Sequence, residues 1–276
     1  MGKDLNFDEI NDFYSWIRDY WSQPSESTDG VKSNILNFGY WADDQQNLFD
    51  AQNHFFDTVA TMIGTQGNDA TGVEIGCGIG GFAIRLLKKY PINLTCYDLL
   101  GEHLDKTRAY AQQEQVADRL KTVKGSSMDM SSFHIDELDF AYCIESSFHY
   151  DEKQRFFNEV YRALKPGAVF VFADISCEDN SKINFKSGNH FSSKSELDSY
   201  IENSNFTVQE HIDIGTSVYQ QLHQFIKQYN KNILSKKQNA SKVELKVARY
   251  WELVLNNYTV LNQKELMGYQ IYKLKK

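Results

Sequence analysis

Glu74, Gly76, Gly78 and Gly80 alternate along Val73-Glu74-Ile75-Gly76-Cys77-Gly78-Ile79-Gly80-Gly81. A carboxylate ahead of closely spaced glycines is an arrangement for holding a polar ligand against the main chain. Glycine lets the chain turn sharply and leaves no Cβ between backbone and ligand. The apolar, β-prone run before the glycines reads as a strand. Phe82, Leu86, Leu87 and Tyr90 then fall on one helical face. The stretch is strand, glycine turn and helix, and the helix start offers free N–H groups to whatever lies above it.

Two nucleotide-like ligands fit such a turn. Gly76, Gly78 and Gly81 satisfy G-x-G-x-x-G, with Asp98 about twenty residues on, as in dinucleotide-binding units. That is the pattern of an NAD-dependent oxidoreductase. Glu74-x-Gly76-x-Gly78-x-Gly80 equally satisfies the E/D-x-G-x-G-x-G loop that holds S-adenosylmethionine. Glu74 favours the second ligand, because a carboxylate attracts an ammonium and a sulfonium and repels a pyrophosphate.

The rest of the chain supplies a frame for this loop. Residues 7–21 read as an aromatic helix, 23–30 as a polar loop, and 44–63 as a second helix. From residue 71 strands and helices alternate. Strands are expected at 71–76, 92–98, 120–124, 138–145 and 168–174, and helices at 79–90, 101–116 and 152–164. This rhythm predicts a parallel sheet. Leu164-Lys165-Pro166-Gly167 reads as a turn into the apolar run from Ala168 to Ala173, which suits a strand covered on both faces. Ser176 to Phe191 reads as a loop. A helix at 194–203, a strand at 206–214, helices at 217–234 and 240–257 and a strand at 266–274 complete the chain.

With these pieces in order, the chain resembles the class I S-adenosylmethionine-dependent methyltransferases, in particular the small-molecule and natural-product group. The resemblance covers about residues 10–276. It rests on the Phe38-Gly39-Tyr40-Trp41 segment, the glycine loop, Asp98, the Gly125–Asp129 turn and Ile144-Glu145-Ser146-Ser147-Phe148-His149. Leu164-Lys165-Pro166-Gly167, Asp174 and Asp213-Ile214-Gly215-Thr216-Ser217-Val218 follow in the same order. It implies an α/β, Rossmann-like fold: a seven-stranded, mostly parallel sheet with helices on both faces. It also implies a helical N-terminal lid over residues 1–66, and a methyltransferase domain over 67–276 with a helical lid insertion at about 216–258.

The resemblance assigns roles residue by residue. Asp98 takes the ribose hydroxyls, and His103 adds a ribose or carboxylate contact. Leu99 and Met128 sandwich the purine. Ser126 stands where relatives offer an acid to the adenine amino group, with Ser127 and Met128 following, so that contact is weaker here. Glu74, Gly76, Gly78 and Gly80 hold the amino-acid end, capped by Tyr40 and Trp41. Glu145 faces the junction of cofactor and acceptor. His149 is the candidate base and Asp174 its orienting carboxylate. Some relatives carry two consecutive histidines where this chain has Phe148-His149. For a carbon acceptor, Glu145 matters more than a base. A non-catalytic S-adenosylmethionine-binding protein is a further reading, motivated by Ser126.

Composition narrows the partners. A formal charge of −8 disfavours nucleic acid, as does the lack of an Asn-Pro-Pro-Tyr type motif. Cys77, Cys96, Cys143 and Cys177 show no zinc spacing and suit free thiols in a reducing, cytoplasmic compartment. Asp174-Ile175 replaces the Asp-Asn pair of metal-dependent relatives, so no metal is expected. No leader or membrane-spanning run is read. The acceptor is expected to be a small, apolar or aromatic molecule, and the oligomeric state is open.

Overall fold

A computed structural model describes residues 34–42, 47–64, 67–183, 189–236 and 242–276. The expected helix at 7–21 and loop at 23–30 lie outside the described residues. In chain order the elements are α1 (Leu48–Ile63), β1 (Thr71–Ile75), α2 (Gly81–Lys89), β2 (Asn93–Asp98), α3 (Gly101–Gln113) and β3 (Leu120–Lys124). Then come β4 (Leu138–Ile144), α4 (Lys153–Ala163), β5 (Leu164–Cys177), α5 (Lys194–Asn203) and β6 (Thr207–Asp213). Two long helices, α6 (Gly215–Lys236) and α7 (Lys242–Gln263), precede β7 (Met267–Lys275). The chain divides into two compact units.

The unit formed by residues 56–176, 189–213 and 269–276 carries the sheet. Its strand order is β3-β2-β1-β4-β5-β7-β6. Strands β1 to β5 pair in parallel, and β6 pairs antiparallel with β7. The path from β1 to β3 steps one way across the sheet, and the path from β4 to β5 steps the other. Right-handed crossovers in opposite directions put helices on both faces. Order reverses between β1 and β4, the switch point where α/β sheets bind ligands beyond the carboxyl ends of their strands. Val73, Ile75, Ala141, Cys143, Phe170 and Phe172 are wholly buried, as central strands covered on both faces require. Phe156 and Phe157 of α4 pack on Phe170 through ring pairs with centroids 6.1 and 6.0 Å apart. Helix α5 starts where the Ser193 hydroxyl accepts the Glu196 N–H and the Glu196 carboxylate accepts the Ser193 N–H, a reciprocal cap.

Sequence and structure differ most around β5. Leu164-Lys165-Pro166-Gly167 is not a turn before the strand but its first residues. Leu138 pairs with Leu164, and Phe140 with Val169, so β5 carries extra residues as a bulge. A bulge is where a sheet tolerates proline. Lys276 closes it: the Gly167 N–H donates to the Lys276 carbonyl at 2.9 Å, and the Lys276 N–H to the Ala168 carbonyl at 3.1 Å. At its far end β5 runs on to Cys177, so Asp174 lies within the strand rather than closing it.

The other unit comprises residues up to 55, 177–188 and 214–268. Helices α6 and α7 pack on each other, with Tyr219 edge-on to Tyr258. Gln52 of α1 donates to the carbonyls of Ile35 and Asn37 at 2.9 Å each, tying the 34–42 segment to that helix. Among the described residues no helix is long and apolar enough to cross a membrane.

Candidate functional site

The glycine loop joins the carboxyl end of β1 to α2. Gly76, Gly78 and Gly80 have φ of 75°, 52° and 77°, in the left-handed region that side chains resist. A Cβ on Gly76 would lie 2.3 Å from Ser146 Oγ, so the loop leans directly on the turn after β4. The Gly76 N–H donates to the Tyr97 carbonyl at 2.7 Å. Gly80 caps α2 without any side-chain hydrogen bond of its own, and the Ala83 N–H of the first turn is taken up by Glu74 instead.

Glu74 points into the protein beneath this loop and is only 4% exposed. Tyr142 Oη donates to its carboxylate at 3.2 Å, and the Ala83 N–H of α2 also reaches it. Burial pushes its pKa up to about 8, and the nearby Asp98 charge adds to the rise. Glu74 therefore knits β1, β4 and α2 together under the loop. Tyr142 was not singled out from the sequence. It is a polar ring in the apolar run of β4, directly opposite Glu74 in the sheet.

Asp98 ends β2 beside the glycine loop and is buried. Its Oδ2 accepts the Gly78 N–H and its Oδ1 the Leu100 N–H, both at 2.9 Å. His103 Nδ1 stands 3.4 Å from Oδ1. Leu99 beside it is 56% exposed, an apolar surface next to a carboxylate. On the neighbouring strand side the Gly125 N–H, just after β3, donates to the Asp98 carbonyl at 3.1 Å, which brings the 125–129 turn alongside. There Ser126 Oγ accepts the Met128 N–H at 3.3 Å. Ser127 is buried and bonds Tyr150, and Met128 is half-buried. A buried carboxylate and an exposed leucine thus stand side by side at the carboxyl end of β2, next to the glycine loop.

The acceptor-side candidates gather beyond β4 and β5. Glu145 follows β4 directly and has φ 46°. Such a conformation costs a non-glycine residue about 1–3 kcal/mol and persists only where its surroundings enforce it. Tyr269 Oη donates to Glu145 Oε1 at 2.8 Å, and the Glu145 N–H donates to the Ala173 carbonyl at 2.9 Å. Ser147–His149 form a single 3-10 turn. Asp174, 1% exposed, holds that turn: its Oδ2 accepts from Ser147 Oγ at 2.6 Å and the Phe148 N–H at 3.1 Å. Its Oδ1 takes the Ile175 N–H at 2.8 Å. Asp174 thus orients His149 through the turn and not through a bond to the ring. Burial pushes the Asp174 pKa up to about 6.

The His149 imidazole pKa is pushed down to about 4 by the protein around it, and further by its neighbours His190 and Lys153. The residue is nonetheless exposed, so solvent tempers the first effect, and these neighbours fix the direction. At neutral pH the ring is uncharged and able to accept a proton. Lys153 was also not singled out from the sequence. It is buried, and its ammonium donates to the carbonyls of Tyr150 and His190, fastening the segment at 190 to the turn.

Tyr40 and Trp41 lie in the unit containing α6 and α7. Trp41 is 2% exposed, donates its indole N–H to the Phe38 carbonyl at 2.8 Å and packs on Phe225. Tyr40 stacks on His54 with ring centroids 4.5 Å apart. Among the described residues no group of three His, Cys, Asp or Glu side chains is placed to hold a metal ion.

This architecture is shared with known proteins. A family described as "Methyltransferase domain" matches residues 73–172, the stretch from β1 into β5. A sterol 24-C-methyltransferase of Neurospora crassa is 32% identical over 122 residues, 44% of this chain and 32% of that protein. The erythromycin 3''-O-methyltransferase of Saccharopolyspora erythraea is 30% identical over 141 residues, 51% of this chain and 45% of that protein. The matched stretches span less than half the length of these two relatives. A geranyl diphosphate C-methyltransferase from Streptomyces coelicolor A3(2), solved with Mg2+, geranyl diphosphate and S-adenosyl-L-homocysteine, has the same fold. It superposes with a TM-score of 0.71 over 95% of this chain and 97% of that one, at 14% identity.

Over residues 73–172 and the stretches matched by these relatives, the chain is similar to the class I S-adenosylmethionine-dependent methyltransferases. The cofactor of that class is S-adenosylmethionine.

Proposed function

We propose that this chain transfers a methyl group from S-adenosylmethionine to a small-molecule acceptor, apolar or aromatic in character, by in-line displacement. The observation that carries this reading is Asp98. Its carboxylate braces the Gly78 N–H while lying at the carboxyl end of β2, beside exposed Leu99. A ribose can bond that carboxylate while its purine lies on Leu99 and Met128. Ser126 supplies the neighbouring hydroxyl, Ser127 backs it, and His103 stands close to the same carboxylate.

S-adenosylmethionine supplies an electrophilic methyl group on a good leaving group, so the protein's task is mainly alignment and desolvation. His149, neutral over the physiological range, accepts a proton from an oxygen or nitrogen acceptor. The buried Asp174 keeps the turn that carries it in place. Glu145 offers negative charge for a carbon acceptor, whose methylation builds up a cation. The relatives include one named for carbon methylation and one for oxygen methylation, and both chemistries fit the two side chains. Natural-product biosynthesis is the setting these relatives suggest. Four buried free thiols accord with a reducing, cytoplasmic compartment.

The test is incubation with methyl-labelled S-adenosylmethionine and fractionated small-molecule extracts. Label should move into a small apolar product. Label retained wholly in the cofactor across all fractions, despite tight cofactor binding, would contradict the transfer.

A further inference from the structure

Tyr269 is wholly buried and ends on the Glu145 carboxylate. Strand β7 begins at the edge of the sheet where β4 and β5 finish. Tyr269, near its start, is thereby brought to the ligand-binding edge. Its main chain is fixed independently: its N–H donates to Asp213 Oδ1 at 3.3 Å. The next residue, Gln270, donates to Asp213 Oδ2 at 2.7 Å and to Ser176 Oγ at 3.1 Å. His211 Nε2 bonds Gln270 Oε1 at 2.7 Å. A phenol held this rigidly defines the position of whatever accepts its proton. The acceptor is a carboxylate on a residue in the left-handed conformation, which needs external support to persist.

We infer that Tyr269 is a positioning residue that aims the Glu145 carboxylate at the acceptor, through one O–H···O bond from β7 to the end of β4. Two consequences follow. One carboxylate oxygen is held by Tyr269, so the carboxylate is fixed in a single orientation. The donor also stabilises the ionised carboxylate, so Glu145 keeps its negative charge opposite a developing cation. This inference rests on the methyltransferase reading for its catalytic consequence, but not for the contact itself.

Tyr269→Phe removes the donor and keeps the ring. Glu145 is followed by 13C NMR of carboxyl-labelled glutamate, its signal assigned by loss in Glu145→Gln. The Glu145 titration should move upward by on the order of one pH unit, the effect of losing a hydrogen bond to the charged form. Steady-state methyl transfer should lose about tenfold or more in kcat, with cofactor affinity within about twofold of the parent. Tyr269→Phe combined with Glu145→Gln should be no worse than Glu145→Gln alone, because both act through one carboxylate. Incorporating 3-fluorotyrosine at 269, a stronger donor, should move the titration downward. It carries the test if the phenylalanine variant does not fold.

A Glu145 titration indifferent to both changes overturns the inference. So does a kcat loss in the double variant equal to the product of the two single losses. If the titration moves as expected while the parent protein methylates nothing, the positioning contact stands and the proposed function fails.

Discussion

Ser147 Oγ and the Phe148 N–H both donate to one oxygen of Asp174, at 2.6 and 3.1 Å. Through this pair of bonds a buried carboxylate in β5 fixes the turn after β4, and with it His149. Asp174→Asn replaces one acceptor oxygen by an NH2 group, which then faces a buried N–H of Phe148 or Ile175. The variant should lose about 1–3 kcal/mol of stability, the cost of an unsatisfied buried donor. Methyl transfer should fall about tenfold or more as His149 loses its place. Urea unfolding and initial rates measure the two effects. Unchanged values in both would show that the turn holds itself.

The raised carboxyl groups make stability depend on pH. The Glu74 pKa is near 8 in the fold against 4.5 for a free side chain. Between those values the folded state keeps a proton that the unfolded chain has released, so stability falls as pH rises. The contribution is fully present below the unfolded value and lost as pH rises through the folded one. Asp174 acts in the same sense between its ordinary 3.8 and about 6. Melting temperature should therefore decline from pH 6.5 to 8.5, and Glu74→Gln should flatten that decline. Thermal unfolding in a pH series decides it. A parent protein whose melting temperature climbs across that range would contradict the burial of Glu74.

Gly76→Ala tests the contact between loop and turn. A Cβ there would stand 2.3 Å from Ser146 Oγ and 2.4 Å from Ser146 Cβ, at φ 75°. Left-handed backbone alone costs about 1–2 kcal/mol for alanine, and the clash adds to it. Gly76→Ala should lower the melting temperature by several degrees and weaken cofactor binding. Gly76→Ala with Ser146→Gly should recover the part due to the clash. No recovery in the pair would mean that backbone conformation alone is responsible.

Much of this frame is legible in the sequence because it follows from local pattern. Helix α5 falls at 194–203 as periodicity predicts, and β3 at 120–124. The alternation of strand and helix is enough to imply the parallel order through β5. Turn chemistry misleads at Lys165-Pro166-Gly167. Proline and glycine signal a turn locally, but Lys276, from the far end of the chain, supplies the partner that keeps these residues in the strand. The site divides in the same way. Glu74, Asp98 and the glycines announce themselves by spacing along one segment. Tyr142, Lys153 and Tyr269 do not, because their importance comes from what other segments place against them. Asp174 shows both: its identity at β5 is legible, but its partners lie 26 and 27 residues away.

The central claim is that the glycine loop and Asp98 together hold S-adenosylmethionine, and calorimetry of the purified protein tests it most directly. The account predicts one equivalent of S-adenosylmethionine bound, S-adenosylhomocysteine competing for the same site, and affinity reduced at least about 100-fold in Asp98→Ala. That loss combines the ribose contacts with the brace on Gly78. No binding by the parent protein, or affinity unchanged in Asp98→Ala, would contradict it.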